Sequence, residues 1–191
     1  MKKQIRILFV ITVFISKALN AQNKIVLDFS NAKDTISKNI YGHFSEHLGH
    51  CIYGGFYIGD GNKKIQTKNG IRLDVVEALK KLKIPVLRWP GGCFADHYHW
   101  KDAVGPKNQR KPIENMMWGN VREDNSFGTN EFLDMCEMMG ADPYLAVNMG
   151  GGTVEEAVDW VKYVNHVNGT SYLTDLRQKN GRTKPWHVKY W

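Results

Sequence analysis

Apolar and polar positions along this chain of 191 residues switch between two periodicities. Residues 24–29 alternate apolar and polar side chains, as a half-buried strand does, and residues 36–44 are predicted to form a second strand. Between residues 73 and 82 the apolar positions follow the spacing of one helix face, and residues 84–89 return to a strand pattern. The first half of the chain therefore predicts strand, strand, helix and strand in that order.

The second half continues the alternation. Residues 101–125 are polar and are predicted to form a long loop, which is followed by a helix. Residues 143–148 predict a strand, the capping box at 153–156 opens a second helix, and residues 187–191 begin another strand. The predicted inner faces are Phe132, Leu133, Cys136 and Met139 for the first helix and Val154, Ala157, Val158, Val161 and Val164 for the second.

This order of elements predicts an α/β protein built from parallel βαβ units. Three complete units and the opening of a fourth are present. A doubly wound parallel sheet fits this order as well as a barrel does. The glycines at 150–152 lack the lysine of a phosphate-binding loop, and no dinucleotide-binding glycine motif opens a helix, so no cofactor is predicted.

Residues 1–21 have the composition of a secretory signal peptide. Lys2, Lys3 and Arg6 precede an apolar run, and Ala21 offers a small residue for cleavage. The run is too short to cross about 30 Å of hydrocarbon, so it does not predict a membrane span. No cysteine follows it directly, so no lipid anchor is predicted. We therefore expect an exported protein, either periplasmic or extracellular.

Charge and cysteine content exclude two further classes. The chain carries 26 basic and 19 acidic residues, and four bases lie in the predicted signal peptide, which leaves 22 bases and a net charge of +3. These bases are scattered, so nucleic-acid binding is not predicted. Cys51, Cys93 and Cys136 are too few for a disulfide scaffold and lack the spacing of a zinc site.

Three polar side chains are predicted to lie at the same end of successive parallel strands. Glu46 follows one predicted strand, Arg88 lies near the end of the next, and Asn148 ends the one after. The carboxyl ends of parallel strands are where α/β folds bind ligands. Each residue has a structural alternative: Glu46 could cap or form a salt bridge, Arg88 could pair with a structural carboxylate, and Asn148 could cap the glycine turn. Their convergence favours a binding site.

Residues 85–100 concentrate this chemistry. A short apolar strand delivers Arg88, and Pro90 with the two glycines after it ends the strand, because these residues cannot extend a central strand. Nearby aromatic residues offer faces for sugar stacking and are equally suited to a core: Tyr53, Tyr57, Trp89, Trp100 and Trp118. The run predicts either one wall of a sugar site or a surface loop beside a buried aromatic cluster.

His43, Glu46 and His47 also match the H-x-x-E-H pattern of a zinc peptidase, in which two histidines one helical turn apart bind the metal. Gly42 and Gly49 bracket the segment, and a predicted strand leads into it. These features disfavour the long helix that the pattern needs. A zinc peptidase using His43 and His47 is therefore the weaker alternative, and no metal is predicted.

Four separate blocks resemble the family 51 α-L-arabinofuranosidases. Residues 40–49, with 52–55 close behind, resemble the first barrel strand of that family, and residues 87–94 resemble the second. Residues 145–150 resemble the third strand, and residues 189–191 resemble the start of the fourth. The blocks occur in family order and cover nearly all of the chain after the predicted signal peptide.

The resemblance implies that residues 36–191 are the amino-terminal half of a (β/α)8 TIM barrel and end in strand 4. It also implies that residues 22–35 contribute one strand to a β-sandwich domain that is otherwise missing. Family members are retaining glycosidases that remove terminal α-L-arabinofuranosyl groups from arabinan, arabinoxylan or their oligosaccharides, and they commonly form homo-oligomers. An arabinose-containing polysaccharide or oligosaccharide is the implied partner.

The same resemblance implies that Glu46 and Arg88 hold the arabinofuranose ring. Cys93 stands where some members have a sugar-binding asparagine, and a thiol donates a hydrogen bond more weakly than an amide does. Trp118 matches a tryptophan that lines the sugar site. Asn148, from its place on the next strand, completes the expected binding residues.

Both catalytic glutamates of the family are expected beyond Trp191. Retaining hydrolysis uses two carboxylates about 5–5.5 Å apart, and in the family these follow the fourth strand and lie near the seventh. We therefore expect no catalytic residue in these 191 and a truncated fragment that is inactive and prone to aggregate alone. A related glycosidase acting on another sugar and a non-catalytic sugar-binding fragment are the alternatives.

Overall fold

The computed structural model describes residues 23–191, which belong to two compact units divided after Ile36. The predicted signal peptide, residues 1–21, lies outside the described residues. Residues 23–36 are exposed and contain one 3-10 turn, Phe29–Asn31, which Asp28 caps. The strand predicted for 24–29 is wrong for this structure, because a strand needs a paired neighbour and the described residues provide none. A place for it in a β-sandwich stays a prediction.

Short strands alternate with helices from residue 37 onward. The strands are β1 (His43–Phe44), β2 (Thr67–Lys68), β3 (Ile71–Arg72), β4 (Val86–Trp89), β5 (Ile113–Asn115), β6 (Val121–Glu123) and β7 (Asp142–Leu145). The α-helices are α1 (Leu73–Lys81), α2 (Thr129–Met139), α3 (Val154–Asn165) and α4 (Tyr172–Lys179). The first three confirm the predicted helices, whereas α4 is not predicted by the apolar periodicity. Within residues 23–191, no helix combines the length and apolar character needed to cross a membrane.

A parallel sheet has the strand order β1-β4-β7. Phe44 pairs with Arg88, and Arg88 pairs with Tyr144, so the three strands share this row. Tyr190 forms a parallel bridge to Tyr144, and its carbonyl accepts a hydrogen bond from Leu145 N at 3.1 Å. Parallel strands that follow one another in chain order, with helices between them, are the arrangement predicted for the first half of a (β/α)8 barrel.

The strand predicted for residues 36–44 is wrong over most of its length. A 3-10 helix spans Lys38–Tyr41, and only His43–Phe44 form a strand. The Ser37 side chain accepts a hydrogen bond from Asn39 N at 3.2 Å, so the backbone turns before it can pair.

The loop predicted for residues 101–125 contains a β-hairpin. β5 and β6 pair antiparallel. Gly119 and Asn120 lie between the two strands with φ values of 96° and 49°, which are left-handed conformations common in hairpin turns. The sequence pair Gly-Asn is the local signal that marks this hairpin.

Aromatic residues dominate the core between the sheet and the helices. Trp89 is fully buried at the end of β4, and its ring stacks on Phe132 of α2 with the centroids 5.2 Å apart. On α3 the buried residues are Trp160, Tyr163 and Val164. The predicted inner residues Val154 and Val158 are exposed. The rings of Trp160 and Tyr163 bury more apolar area than the two valines would, so α3 presents the side that carries these rings to the core.

Arg177 on α4 is fully buried and ties α4 to the end of α3. Its guanidinium donates hydrogen bonds to the carbonyl oxygens of Tyr163 and His166, both at 2.6 Å, and to Asn168 Oδ1 at 2.9 Å. Among the described residues no carboxylate lies within ion-pair distance of Arg177. The charge is therefore held by neutral oxygen atoms alone.

Candidate functional site

Glu46 and Arg88 meet at the carboxyl end of the parallel sheet. Hydrogen bonds continue past β1, from Ser45 N to Arg88 O at 2.7 Å and from His47 N to Pro90 O at 3.1 Å. These bonds hold the residue between them, Glu46, beside Arg88. The Arg88 guanidinium donates a hydrogen bond to the Glu46 carboxylate, and the two side chains form an ion pair.

The ion pair is only partly covered by protein. The exposed fraction is 14% for the Glu46 side chain and 31% for that of Arg88. The Arg88 guanidinium also lies over the exposed ring of Phe44, 5.3 Å from its centroid. A carboxylate accepts hydrogen bonds, a guanidinium donates them, and their charges offset each other. This surface suits a neutral ligand that carries several hydroxyl groups.

The turn after β4 borders the ion pair. A Cβ atom built on Gly92 would lie 4.0 Å from Arg88 Nη1 and 4.0 Å from Glu46 Oε1. Cys93 follows directly, at the start of a 3-10 helix, and its thiol is free and exposed. The fold therefore brings Cys93 into the same neighbourhood as the ion pair.

Asn148 caps the glycine turn after β7. Its Oδ1 accepts hydrogen bonds from the backbone N–H groups of Gly150, Gly151 and Gly152 at 3.2, 2.9 and 2.8 Å. Its Nδ2 donates to Tyr98 O at 3.2 Å. The structure thus shows the turn-capping role for Asn148, and a direct role in sugar binding stays a prediction.

Trp118 lies in the turn of the β5–β6 hairpin. Its side chain is exposed, as are those of Met116 and Met117 before it. Its backbone N–H donates to Asn115 Oδ1 at 3.1 Å, which fixes the turn on β5. Trp118 therefore stands on an ordered hairpin and presents an aromatic face to solvent.

A buried cluster of polar side chains joins the turn after β1 to the β5–β6 hairpin. His47 Nδ1 bonds to Glu123 Oε2, and Asn115 Nδ2 donates to Glu123 Oε1 at 2.8 Å. Sequence reasoning did not bring these three residues together. The H-x-x-E-H pattern makes His47 a candidate zinc ligand, and the other two residues lie in the stretch predicted to be a loop. The turn signal at Gly119 is the feature that could have revealed the hairpin and so placed Asn115 and Glu123 on it.

The geometry of the H-x-x-E-H segment does not match a zinc peptidase. His43 lies in β1, and His47 lies in the turn beyond that strand, so no helical turn separates them. The His47 ring is buried, stacked on Phe94 with the centroids 4.4 Å apart. Within residues 23–191 no group of three candidate ligands is placed to hold a metal ion. The zinc alternative therefore has no geometric support.

Two tyrosines line the buried side of His47. The ring centroids of Tyr53 and Tyr98 lie 5.9 and 5.7 Å from that of His47. Burial raises the pKa of Tyr53 and of Tyr98, so both hydroxyls are neutral at physiological pH.

The ion pair lies at the carboxyl ends of parallel strands, which is where α/β barrels place their ligand sites. Residues 78–191, more than half of the chain, match the family described as alpha-L-arabinofuranosidase 1 domain. The chain therefore belongs to the alpha-L-arabinofuranosidase family, as its sequence blocks predict.

Curated relatives support this assignment. The intracellular exo-alpha-L-arabinofuranosidase of Bacteroides ovatus is 52% identical over 187 residues, which are 96% of this chain and 36% of that protein. The alpha-L-arabinofuranosidase C of Emericella nidulans is 52% identical over 156 residues, covering 82% of this chain and 30% of that protein. The chain spans about a third of the length of these relatives.

Solved structures confirm the fold. The GH51 arabinofuranosidase from Xanthomonas axonopodis pv. citri superposes with a TM-score of 0.81 at 43% identity, covering 85% of this chain and 32% of that one. An arabinose complex of the alpha-L-arabinofuranosidase from Thermotoga maritima gives a TM-score of 0.74 at 48% identity, with coverages of 79% and 30%. The described chain is therefore part of a (β/α)8 barrel.

Proposed function

We propose that this chain forms the sugar-binding wall of a retaining α-L-arabinofuranosidase. The substrates are terminal α-L-arabinofuranosyl groups of arabinan, arabinoxylan or their oligosaccharides. The observation that carries the proposal is the Glu46–Arg88 pair at the carboxyl end of paired parallel strands, in a chain of this family. The arabinose complex described for the Thermotoga maritima relative supports a pentose as the ligand.

The binding residues act by complementary hydrogen bonding. Arg88 donates to hydroxyl oxygens of the sugar and Glu46 accepts from hydroxyl groups, so the pair orients the ring. Trp118 offers an aromatic face to the C–H side of the ring. Cys93 contributes a weak donor beside the pair. Together these contacts hold the sugar in one orientation for attack at its glycosidic bond.

Glu46 has a binding role rather than the role of acid, base or nucleophile. Retaining hydrolysis needs two carboxylates about 5–5.5 Å apart. The Glu46 carboxylate is already engaged by the Arg88 guanidinium. The family resemblance assigns both catalytic glutamates to later strands of the barrel, so the residues described here supply substrate orientation.

The test compares two Glu–Arg pairs in the protein expressed from its complete gene. Glu46→Gln and Arg88→Met should each weaken L-arabinose binding about 10- to 100-fold, because a hydrogen bond to a charged group contributes about 1.5–3 kcal/mol. As matched controls, Glu137→Gln and Arg182→Met remove a second partly exposed pair, 2.6 Å apart, and should leave binding unchanged. Calorimetric titration with arabinose and release of arabinose from an aryl α-L-arabinofuranoside are the measurements.

Three results would count against this function. Unchanged arabinose affinity in Glu46→Gln and Arg88→Met would contradict the binding assignment. Arabinose binding without release would favour a non-catalytic sugar-binding protein. Release of a different sugar from a panel of aryl glycosides would favour a related glycosidase.

We further propose that the protein is exported. The support is the basic start, the apolar run and the small residue Ala21 in residues 1–21. Amino-terminal sequencing of the protein from its native host should then begin at Gln22. The relative from Bacteroides ovatus is named an intracellular enzyme, and an unprocessed amino terminus would contradict export.

A further inference from the structure

We propose that His47, Asn115 and Glu123 form a positioning cluster, which sets the placement of Trp118 relative to the Glu46–Arg88 pair. The inference rests on the proposed function, because it concerns the same sugar site. The exposed fractions of the three cluster residues are 1%, 2% and 8%. Buried this deeply, they act on the sugar through the residues that they hold.

Asn115 links the hairpin to the turn after β1. Its Nδ2 donates to His47 O at 2.8 Å, a carbonyl adjacent to Glu46 along the chain. Its Oδ1 accepts from Trp118 N at 3.1 Å. The Asn115 side chain therefore bonds to the backbone of Trp118 and to the backbone of the residue that follows Glu46.

Glu123 fixes the orientation of Asn115. One carboxylate oxygen accepts the Asn115 amide at 2.8 Å, and the other pairs with His47 Nδ1. A buried carboxylate is costly without such partners. The three residues therefore hold one another in a single arrangement that ties β5 and β6 to the turn after β1.

His47 extends the cluster to the Cys93 side of the site. Its ring lies nearly parallel to that of Phe94, with an interplanar angle of 12° and the centroids 4.4 Å apart. Phe94 follows Cys93 in the same 3-10 helix. The cluster thus holds a group beside each predicted binding residue. These groups are the His47 backbone next to Glu46, the backbone of Trp118, and the Phe94 ring next to Cys93. An error of about 1 Å in placing a binding group can cost 100-fold in activity.

Two asparagines in the chain provide a matched test. Asn165, at the end of α3, makes the same two kinds of bond to the backbone. Its Nδ2 donates to Val188 O at 2.9 Å, and its Oδ1 accepts from Val188 N at 2.7 Å. In the protein from the complete gene, Asn115→Ala should raise Kd for arabinose and KM for an aryl α-L-arabinofuranoside about tenfold or more. Asn165→Ala should lower Tm comparably and leave Kd and KM unchanged.

A second pair of variants separates positioning from core stability. Glu123→Gln keeps an acceptor for Asn115 and offers its amide N–H to His47, so it should retain most of the arabinose affinity. Glu123→Ala removes both bonds and should lose affinity about as strongly as Asn115→Ala. All affinities are measured at a temperature well below the Tm of the least stable variant, where a loss of stability alone does not change Kd.

The outcomes separate the two proposals. If the unaltered protein does not bind arabinose, the proposed function and the positioning role both fail. If the unaltered protein binds arabinose and Asn115→Ala lowers Tm while keeping Kd and KM, the positioning role alone is overturned. A rise in Kd for Asn115→Ala and Glu123→Ala, with retention in Glu123→Gln and Asn165→Ala, supports it.

Discussion

At the scale of single residues, the thiols of Cys93 and Cys136 differ in exposure. Cys93 is exposed beside the candidate sugar site, whereas Cys136 is buried on α2. Burial raises the pKa of the Cys136 thiol well above its ordinary value, and the thiolate is the reactive form. Iodoacetamide at pH 8 should therefore alkylate Cys93 within minutes and leave Cys136 intact. Peptide mass spectrometry after timed exposure measures both sites.

Two controls accompany this experiment. Alkylation in denaturant should reach all three thiols, and Cys93→Ser should remove the fast reaction assigned to Cys93. The partly buried Cys51 is followed as a separate peptide. Fast modification of Cys136 in the folded protein would contradict its burial. Protection of Cys93 by arabinose would in addition support its place in the sugar site.

At the scale of elements, the glycine turn after β7 depends on one side chain. Asn148→Ala leaves the N–H groups of Gly150 and Gly152 without their acceptor, whereas Gly151 N keeps its bond to Asp96 O at 2.9 Å. We expect a loss of about 1–2 kcal/mol in the free energy of unfolding, by analogy with the loss of a helix cap. Urea unfolding followed by circular dichroism measures the change. The control is Met149→Ala in the same turn, where the side chain is exposed and little should change; equal losses would contradict the capping role.

Elements with a strong local pattern could be predicted from the sequence. β4 is a short apolar run and α1 to α3 show helical spacing, so their existence and order follow from periodicity. β7 begins at Asp142 and ends at Leu145, so the strand predicted for residues 143–148 is right in place but wrong in its bounds. The strand predicted for residues 36–44 is longer than β1. The pattern of apolar and polar residues does not reveal that the Ser37 side chain bonds to Asn39 N and turns the backbone before the strand begins. The hairpin is missed because its strands have three residues each and carry polar side chains.

The candidate site could be predicted only where its residues follow strand ends. Glu46 and Arg88 are brought together by parallel pairing, which the predicted strand order already implies. The contact of His47 with Glu123 joins residues 76 positions apart in the chain. No local periodicity encodes such a contact, since it depends on how the hairpin packs against the turn after β1.

At the scale of the whole molecule, stability depends on the aromatic core between sheet and helices. Phe132 is fully buried against Trp89, so Phe132→Ala should lower the free energy of unfolding by about 3–5 kcal/mol, through lost burial and the cavity left behind. Phe29→Ala changes an exposed ring and should cost no more than about 0.5 kcal/mol. Thermal unfolding of both variants checks this, and equal stability of the two would contradict the core assignment.

The buried guanidinium of Arg177 has a consequence for acid tolerance. Acid unfolds proteins chiefly by protonating carboxylates that the native state uses in ionised form. Pairs such as Arg110 with Glu131 are lost in that way. Arg177 is held by three carbonyl oxygens and one amide oxygen, none of which titrates in this range. The joint between α3 and α4 should therefore be among the last regions to lose amide-exchange protection as the solution is acidified.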